Sequence, residues 1–132
     1  MPVSHPPALG RLELAVLDHL WQVEESDVSE MTAAVGAPRR LARNTIQSTL
    51  ERLVRKGLAE RRKRGRAYHY RASLSREAWL GRSLEGLLER VPGAEPRLLL
   101  ASFVALAERA GPETLEELEA LVRTARRAEA GR

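Results

Sequence analysis

A chain of 132 residues, 43% of them hydrophobic, is long enough for one compact domain or a small domain with an appendage, which argues against wholesale disorder. It has no cysteine, so disulfides, thiolate metal sites and cysteine nucleophiles are excluded. The net charge of +4 is mild but unevenly placed: residues 39–71 hold twelve basic side chains against Glu51 and Glu60, residues 1–38 are net negative, and residues 72–132 nearly balance. Such a block is either a solvated charge run or the footprint of a polyanion site. Residues 1–7 show no secretion signal, and the longest apolar stretch, 98–107, is interrupted by Ser102 and is about half a bilayer span. A soluble cytoplasmic protein without membrane insertion is therefore expected.

Residues 1–8 include three prolines and read as a loose tail. Leu12, Val16, Leu17, Leu20 and Trp21 then fall at helical spacing and predict a first helix over 9–23, with Asp18 and His19 as a surface pair. After a polar connection, Val28 reads as an inward-pointing extended residue and Ser29 as the N-cap of a second helix. That helix presents Met31, Ala34 and Val35 and ends at Gly36 and Pro38. Residues 39–43 form a turn. A third helix starts at Asn44, with Ile46, Leu50, Leu53 and Val54 as its buried stripe and Gly57 as its cap.

Residues 58–63 and 67–71 alternate as short strands around Arg64, Gly65 and Arg66, so a hairpin with a basic tip is predicted. Beyond Ser73 the chain becomes leucine-rich. Ser75 caps a fourth helix carrying Trp79, Leu84, Leu87, Leu88 and Val91; a fifth covers 97–110, and a sixth begins at Pro112. The fold class is mainly α with a small β-hairpin wing. A winged helix-turn-helix domain over 9–72 precedes a three-helix domain over 73–132.

In a helix-turn-helix the second helix braces the third, whose N-terminal half enters the major groove. The exposed face of the third helix carries Arg43, Asn44, Gln47, Ser48, Glu51, Arg52 and Arg55. Asn and Gln pair with both edge groups of adenine, Arg pairs with the two acceptors of guanine, and small hydroxyls allow close approach. Thr45 suits a phosphate or a thymine methyl, and Glu51 either meets cytosine or orients Arg52 or Arg55. The plainer alternatives are an N-cap for Asn44 and ordinary surface for Gln47 and Ser48. Ser29, Arg39, Arg40, Arg62, Lys63, Arg64 and Arg66 complete the expected contacts to double-stranded DNA, the wing residues tracking the backbone or entering the minor groove. Tyr68 and Tyr70 alternate with His69, so one face of that strand packs inward; base stacking is the alternative. No catalytic motif, metal-ligand spacing or cofactor loop is present, so neither an enzyme nor a cofactor is expected.

The apolar positions of the last three helices exceed what a small module buries. They pack either on the N-terminal domain or in a homodimer, and two-fold dimers suit palindromic DNA. The expected dimer contacts are Trp79, Leu84, Leu87, Leu88, Leu99, Phe103, Leu118, Leu121 and Val122.

Three stretches carry a family resemblance: residues 14–21 (LAVLDHLW), residues 44–53 (NTIQSTLERL) with Lys56-Gly-Leu58, and residues 67–70 (AYHY). Together they resemble the penicillinase-repressor family (BlaI/MecI/CopY type) over residues 9–127. The resemblance implies a DNA-binding winged helix, a helical dimerisation domain, and repression at operators whose half-sites have TACA/TGTA character. In the lactam-responsive branch it further implies a sensor-protease pathway that cleaves an Asn-Phe bond. Phe103 sits at the matching place but follows Ser102, and the copper-binding Cys-x-Cys pair of another branch has no counterpart here. Two other readings fit a winged helix: a small-molecule-sensing regulator of the multiple-antibiotic-resistance type, with a pocket lined by Trp79 and Phe103, and a protein-interaction module with an acidic partner.

Overall fold

The computed structural model describes Pro6 and residues 8–132, so the expected tail over residues 1–8 lies largely outside the described residues. The chain divides into two compact units, residues 1–87 and 88–132. In the first, α1 (Arg11–Val23) is followed by a two-residue strand, β1 (Ser26–Asp27), and a short helix, α2 (Val28–Met31). The chain continues through a π-turn (Thr32–Gly36) and a 3-10 turn (Ala37–Arg39) into α3 (Arg43–Arg55). A hairpin follows, built from β2 (Ala59–Arg64) and β3 (Ala67–Ala72). β3 pairs antiparallel with both β1 and β2, giving the order β1-β3-β2.

The helical stripes predicted from spacing form one core. Val16, Leu17 and Leu20 of α1 meet Met31 and Val35, then Ile46, Leu50 and Leu53 of α3, and Leu58 and Tyr70 of the hairpin. Thr49 is also buried; its hydroxyl is satisfied within the helix, donating to the Thr45 carbonyl at 2.8 Å. α3 ends in a Schellman motif: Gly57, at φ 76°, donates to the Val54 carbonyl, and Leu58 donates to Leu53 at 2.9 Å. Gly65, at φ 65°, takes the first central position of the two-residue hairpin turn between Arg64 and Ala67, where a positive φ matches the twist of the strands.

Three local expectations are corrected. Asp27, not Ser29, caps α2: its carboxylate accepts the Glu30 N–H at 2.8 Å, and Glu30 in return accepts the Asp27 N–H, a capping box. Gly36 closes the π-turn but is no left-handed cap. It keeps right-handed angles (φ −74°), and the reversal comes at Arg40, which adopts φ 56°. A Cβ at 36 would lie 3.0 Å from Cγ1 of Ile46, tighter than ordinary van der Waals contact. Asp18 does not pair with His19; its carboxylate accepts from Gln22 and from Arg76.

α4 (Arg76–Arg90) starts as predicted, with the Ser75 hydroxyl accepting the Ala78 N–H at 3.0 Å. Its first turns belong to the first unit. Trp79 packs on Trp21 with ring centroids 5.7 Å apart, and the Arg76 guanidinium lies 5.3 Å from the Trp21 ring centre. Trp21 also donates its indole N–H to the Leu74 carbonyl at 2.9 Å. These contacts tie the start of α4 to the first unit. In the second unit α5 (Pro96–Ala110) and α6 (Pro112–Ala130) pack on each other, and among its described residues only Ala107 is buried.

Candidate nucleic-acid interface

α3 starts at Arg43, one residue earlier than predicted, because Ala42 holds the extended capping position. Asn44 therefore lies inside the helix and is no cap. Asn44, Gln47, Ser48, Glu51, Arg52 and Arg55 recur at three- and four-residue spacing, so they share the face opposite Ile46, Leu50 and Leu53. Together they line one open recess along the helix. Asn44, Thr45, Gln47 and Ser48 are exposed, each with free capacity to donate or accept. Arg52 leans back onto the Thr49 hydroxyl at 3.1 Å.

A second cleft joins this face to the hairpin. Ser29, Arg43 and Gln47 line it with Arg66 and Tyr68. Arg43 donates to the Ser29 hydroxyl at 2.6 Å, which fixes the guanidinium at the entrance of α3. Two basic groups and two polar ones thus converge beside the groove-sized ridge of the helix. Arg39 is turned back, donating to the Val35 carbonyl at 3.0 Å, while Arg40 stands exposed at the corner of the turn.

Strand register separates the wing cations. Arg61 and Lys63 stand opposite Tyr70 and Tyr68, and Arg62 and Arg64 stand opposite His69 and Ala67 on the other face of the sheet. On that face Arg64 pairs with Glu25 at 2.7 Å, and Glu25 also lies 3.4 Å from Nδ1 of His69. The Arg64 hydrogen bond holds the Glu25 carboxyl below its usual range. Of the expected wing contacts, Arg66 joins the α3 cleft, whereas Arg62 and Arg64 sit on the far face.

Two roles were not foreseen. Glu51 orients neither Arg52 nor Arg55. One of its oxygens accepts both the Tyr70 hydroxyl at 2.6 Å and Arg61 at 2.5 Å. The Tyr70 ring is wholly buried, and burial together with the Glu51 hydrogen bond pushes its phenol up to about 12. Tyr68 is not free for stacking on its wing side, because the Arg61 guanidinium lies 4.5 Å from its ring centre. Behind the interface, Lys56 at the end of α3 bonds Glu13 of α1 at 2.6 Å. Among the described residues, no group of three or more His, Asp or Glu side chains is placed to hold a metal ion, and no helix is long and apolar enough to cross a membrane.

Comparison with known proteins agrees with this architecture. The transcriptional regulator BlaI of Mycobacterium tuberculosis, from two strains, is 34% identical over 125 residues, spanning 93% of this chain and 86% of the relative. The solution structure of the DNA binding domain of the repressor BlaI superimposes with a TM-score of 0.51 at 25% identity. That match covers 58% of this chain and 90% of the other. The family model described as penicillinase repressor matches residues 9–124. With that match extending from the start of α1 into α6, the chain belongs to the penicillinase repressor family.

Proposed function

We propose that this protein is a transcriptional repressor that binds double-stranded DNA in the cytoplasm as a homodimer, with α3 in the major groove. The observation that carries the reading is the single face of α3 on which Asn44, Gln47 and Ser48 stand exposed between Arg43 and Arg52. Amide side chains suit base edges there, and Arg43 and Thr45 suit phosphates at the mouth of the groove. Ser29, Arg39, Arg40 and Arg66 supply further backbone contacts around the turn and the wing tip. Arg62, Lys63 and Arg64 add attraction at longer range, weakened for Arg64 by its pairing with Glu25. Selection from a pool of random duplexes tests this directly. It should return a palindromic consensus whose binding weakens steeply with salt as counterions are released. A pool that stays random after repeated rounds would contradict it.

The homodimer rests on the second unit. Leu98, Leu100, Leu106 and Leu121 are each more than half exposed on helices too few to form a core of their own. Leu84, Leu88, Leu99, Phe103 and Leu118 are half-buried, and Leu87 and Val122 are exposed, so these residues are available to a second copy. Trp79 is left out of this surface because its ring is spent on Trp21. Sedimentation of the full chain should give a dimer that Leu121→Asp dissociates; a monomer for the parent would remove this part. Release by proteolysis belongs to the same reading. The Ser102–Phe103 bond lies in the middle of α5, so cutting it would divide a helix of the proposed interface. Cells exposed to a β-lactam should then show a fragment ending at Ser102, and persistence of the intact chain during derepression would place the release step elsewhere.

A further inference from the structure

We infer that Glu51 is a specificity-determining residue: it holds Arg61 away from phosphate and keeps a negative charge on the reading face that only an amino group on a base edge relieves. This rests on the proposed DNA-binding function and deepens it. Glu51 stands in the row of Gln47, Ser48, Arg52 and Arg55 and lines the same recess, so it meets whatever the helix reads. Its carboxylate is not free to swing aside, because one oxygen takes both the Tyr70 hydroxyl and the Arg61 guanidinium. Tyr70 is anchored in the core, and a buried phenol requires such an acceptor. Arg61 is held from two sides, by Glu51 and by the ring of Tyr68.

The consequences are electrostatic. A carboxylate offers about four acceptor positions, and among the described residues only one of the two Glu51 oxygens is used. Brought against DNA, the remaining oxygen is repelled by phosphates and by base-edge acceptors. An exocyclic amine of cytosine or adenine, which donates, relieves that penalty. Arg61 meanwhile is withdrawn from the pool of cations that neutralise phosphate indiscriminately. Both effects lower affinity for arbitrary sequence and leave the matched site favoured.

A plain structural tether between wing and helix would behave differently, and E51Q separates the two. The amide keeps an acceptor for the Tyr70 hydroxyl but removes the charge that holds Arg61. The probes are the duplex selected by the parent protein and a random-sequence duplex, each titrated by fluorescence anisotropy over a range of salt. E51Q should bind the random duplex more tightly, with a salt slope steeper by about one as Arg61 becomes available. Its preference for the selected duplex should fall by about tenfold. The double variant E51Q/R61A should return the slope to that of the parent. R61A alone should leave the random-duplex salt slope unchanged, because Arg61 is paired with Glu51 and not with phosphate, a result that does not depend on E51Q folding. Equal weakening of E51Q on both duplexes, or a flatter slope for R61A alone, would overturn the inference. Failure to select any duplex would instead remove the DNA-reading function itself.

Discussion

The two units of this chain treat apolar surface in opposite ways. The first closes a core in which Val16, Leu17, Met31, Ile46, Leu50, Leu53, Leu58 and Tyr70 are all out of solvent. The second lays two long helices side by side with Ala107 buried and with Leu98, Leu100 and Leu121 facing water. A reading helix must hold its side chains in register with base edges, so it needs a core that exists before DNA arrives. The proposed dimerisation element would have no such need, because a second copy would complete its core.

That contrast can be broken most forcefully at Leu50. Leu50→Ala empties a fully buried site and should cost about 2–5 kcal/mol in denaturant unfolding of the first unit. Leu121→Ala, on a side chain 63% exposed, should change the unfolding of the isolated protomer by no more than about 0.5 kcal/mol. Comparable losses at both positions would end the distinction. Gly36→Ala probes the tight approach of the turn to α3. With a Cβ placed 3.0 Å from Ile46, it should cost about 1–3 kcal/mol by overpacking, read as a lowered melting temperature.

Smaller effects sharpen the picture at the edges of the core. Glu24 has φ 66°, with the Glu25 N–H reaching the Val23 carbonyl at 2.7 Å, a strained three-residue turn. Glu24→Gly should relieve it and stabilise the first unit by about 1 kcal/mol in thermal unfolding. Stability should also depend on pH at both extremes. Glu13 is held below its ordinary range chiefly by the Lys56 hydrogen bond. Its contribution is complete above the unfolded carboxyl value and is lost as pH falls through the lowered folded one. Tyr70 is shifted the other way, to about 12. The fold favours the protonated phenol, so stability should fall as pH rises from about 10 toward 12. In a urea-midpoint series Tyr70→Phe should flatten the alkaline limb and leave the acid limb intact.

The stripe of α3 was readable because Ile46, Leu50 and Leu53 repeat at helical spacing, and the wing because Gly65 interrupts two alternating runs. The face bearing Asn44, Gln47 and Ser48 follows from the same periodicity once the buried side is known. Gly36 before Pro38 reads locally as a left-handed helix cap, whereas it stays right-handed and packs close to Ile46, ten residues on. The Asp27–Glu30 box is visible as an acid three residues before a glutamate, and Ser29 competes with it because serine is as good a capping residue as aspartate. The pairings of Glu25 with Arg64 and of Glu51 with Arg61 and Tyr70 had no local signature. They depend on strand register and on how the hairpin packs against α3, which no spacing within one element encodes. Those pairings changed the division of labour among the wing arginines more than any other feature.

The central claim is that α3 reads bases through Asn44 and Gln47. The most direct measurement is anisotropy titration of the parent, Asn44→Ala and Gln47→Ala against the selected duplex and a random duplex at one fixed salt concentration. Each substitution should cost about 1–3 kcal/mol on the selected duplex and little on the random one, so that discrimination falls while background binding persists. Variants that discriminate as well as the parent would contradict the claim and move the reading surface elsewhere.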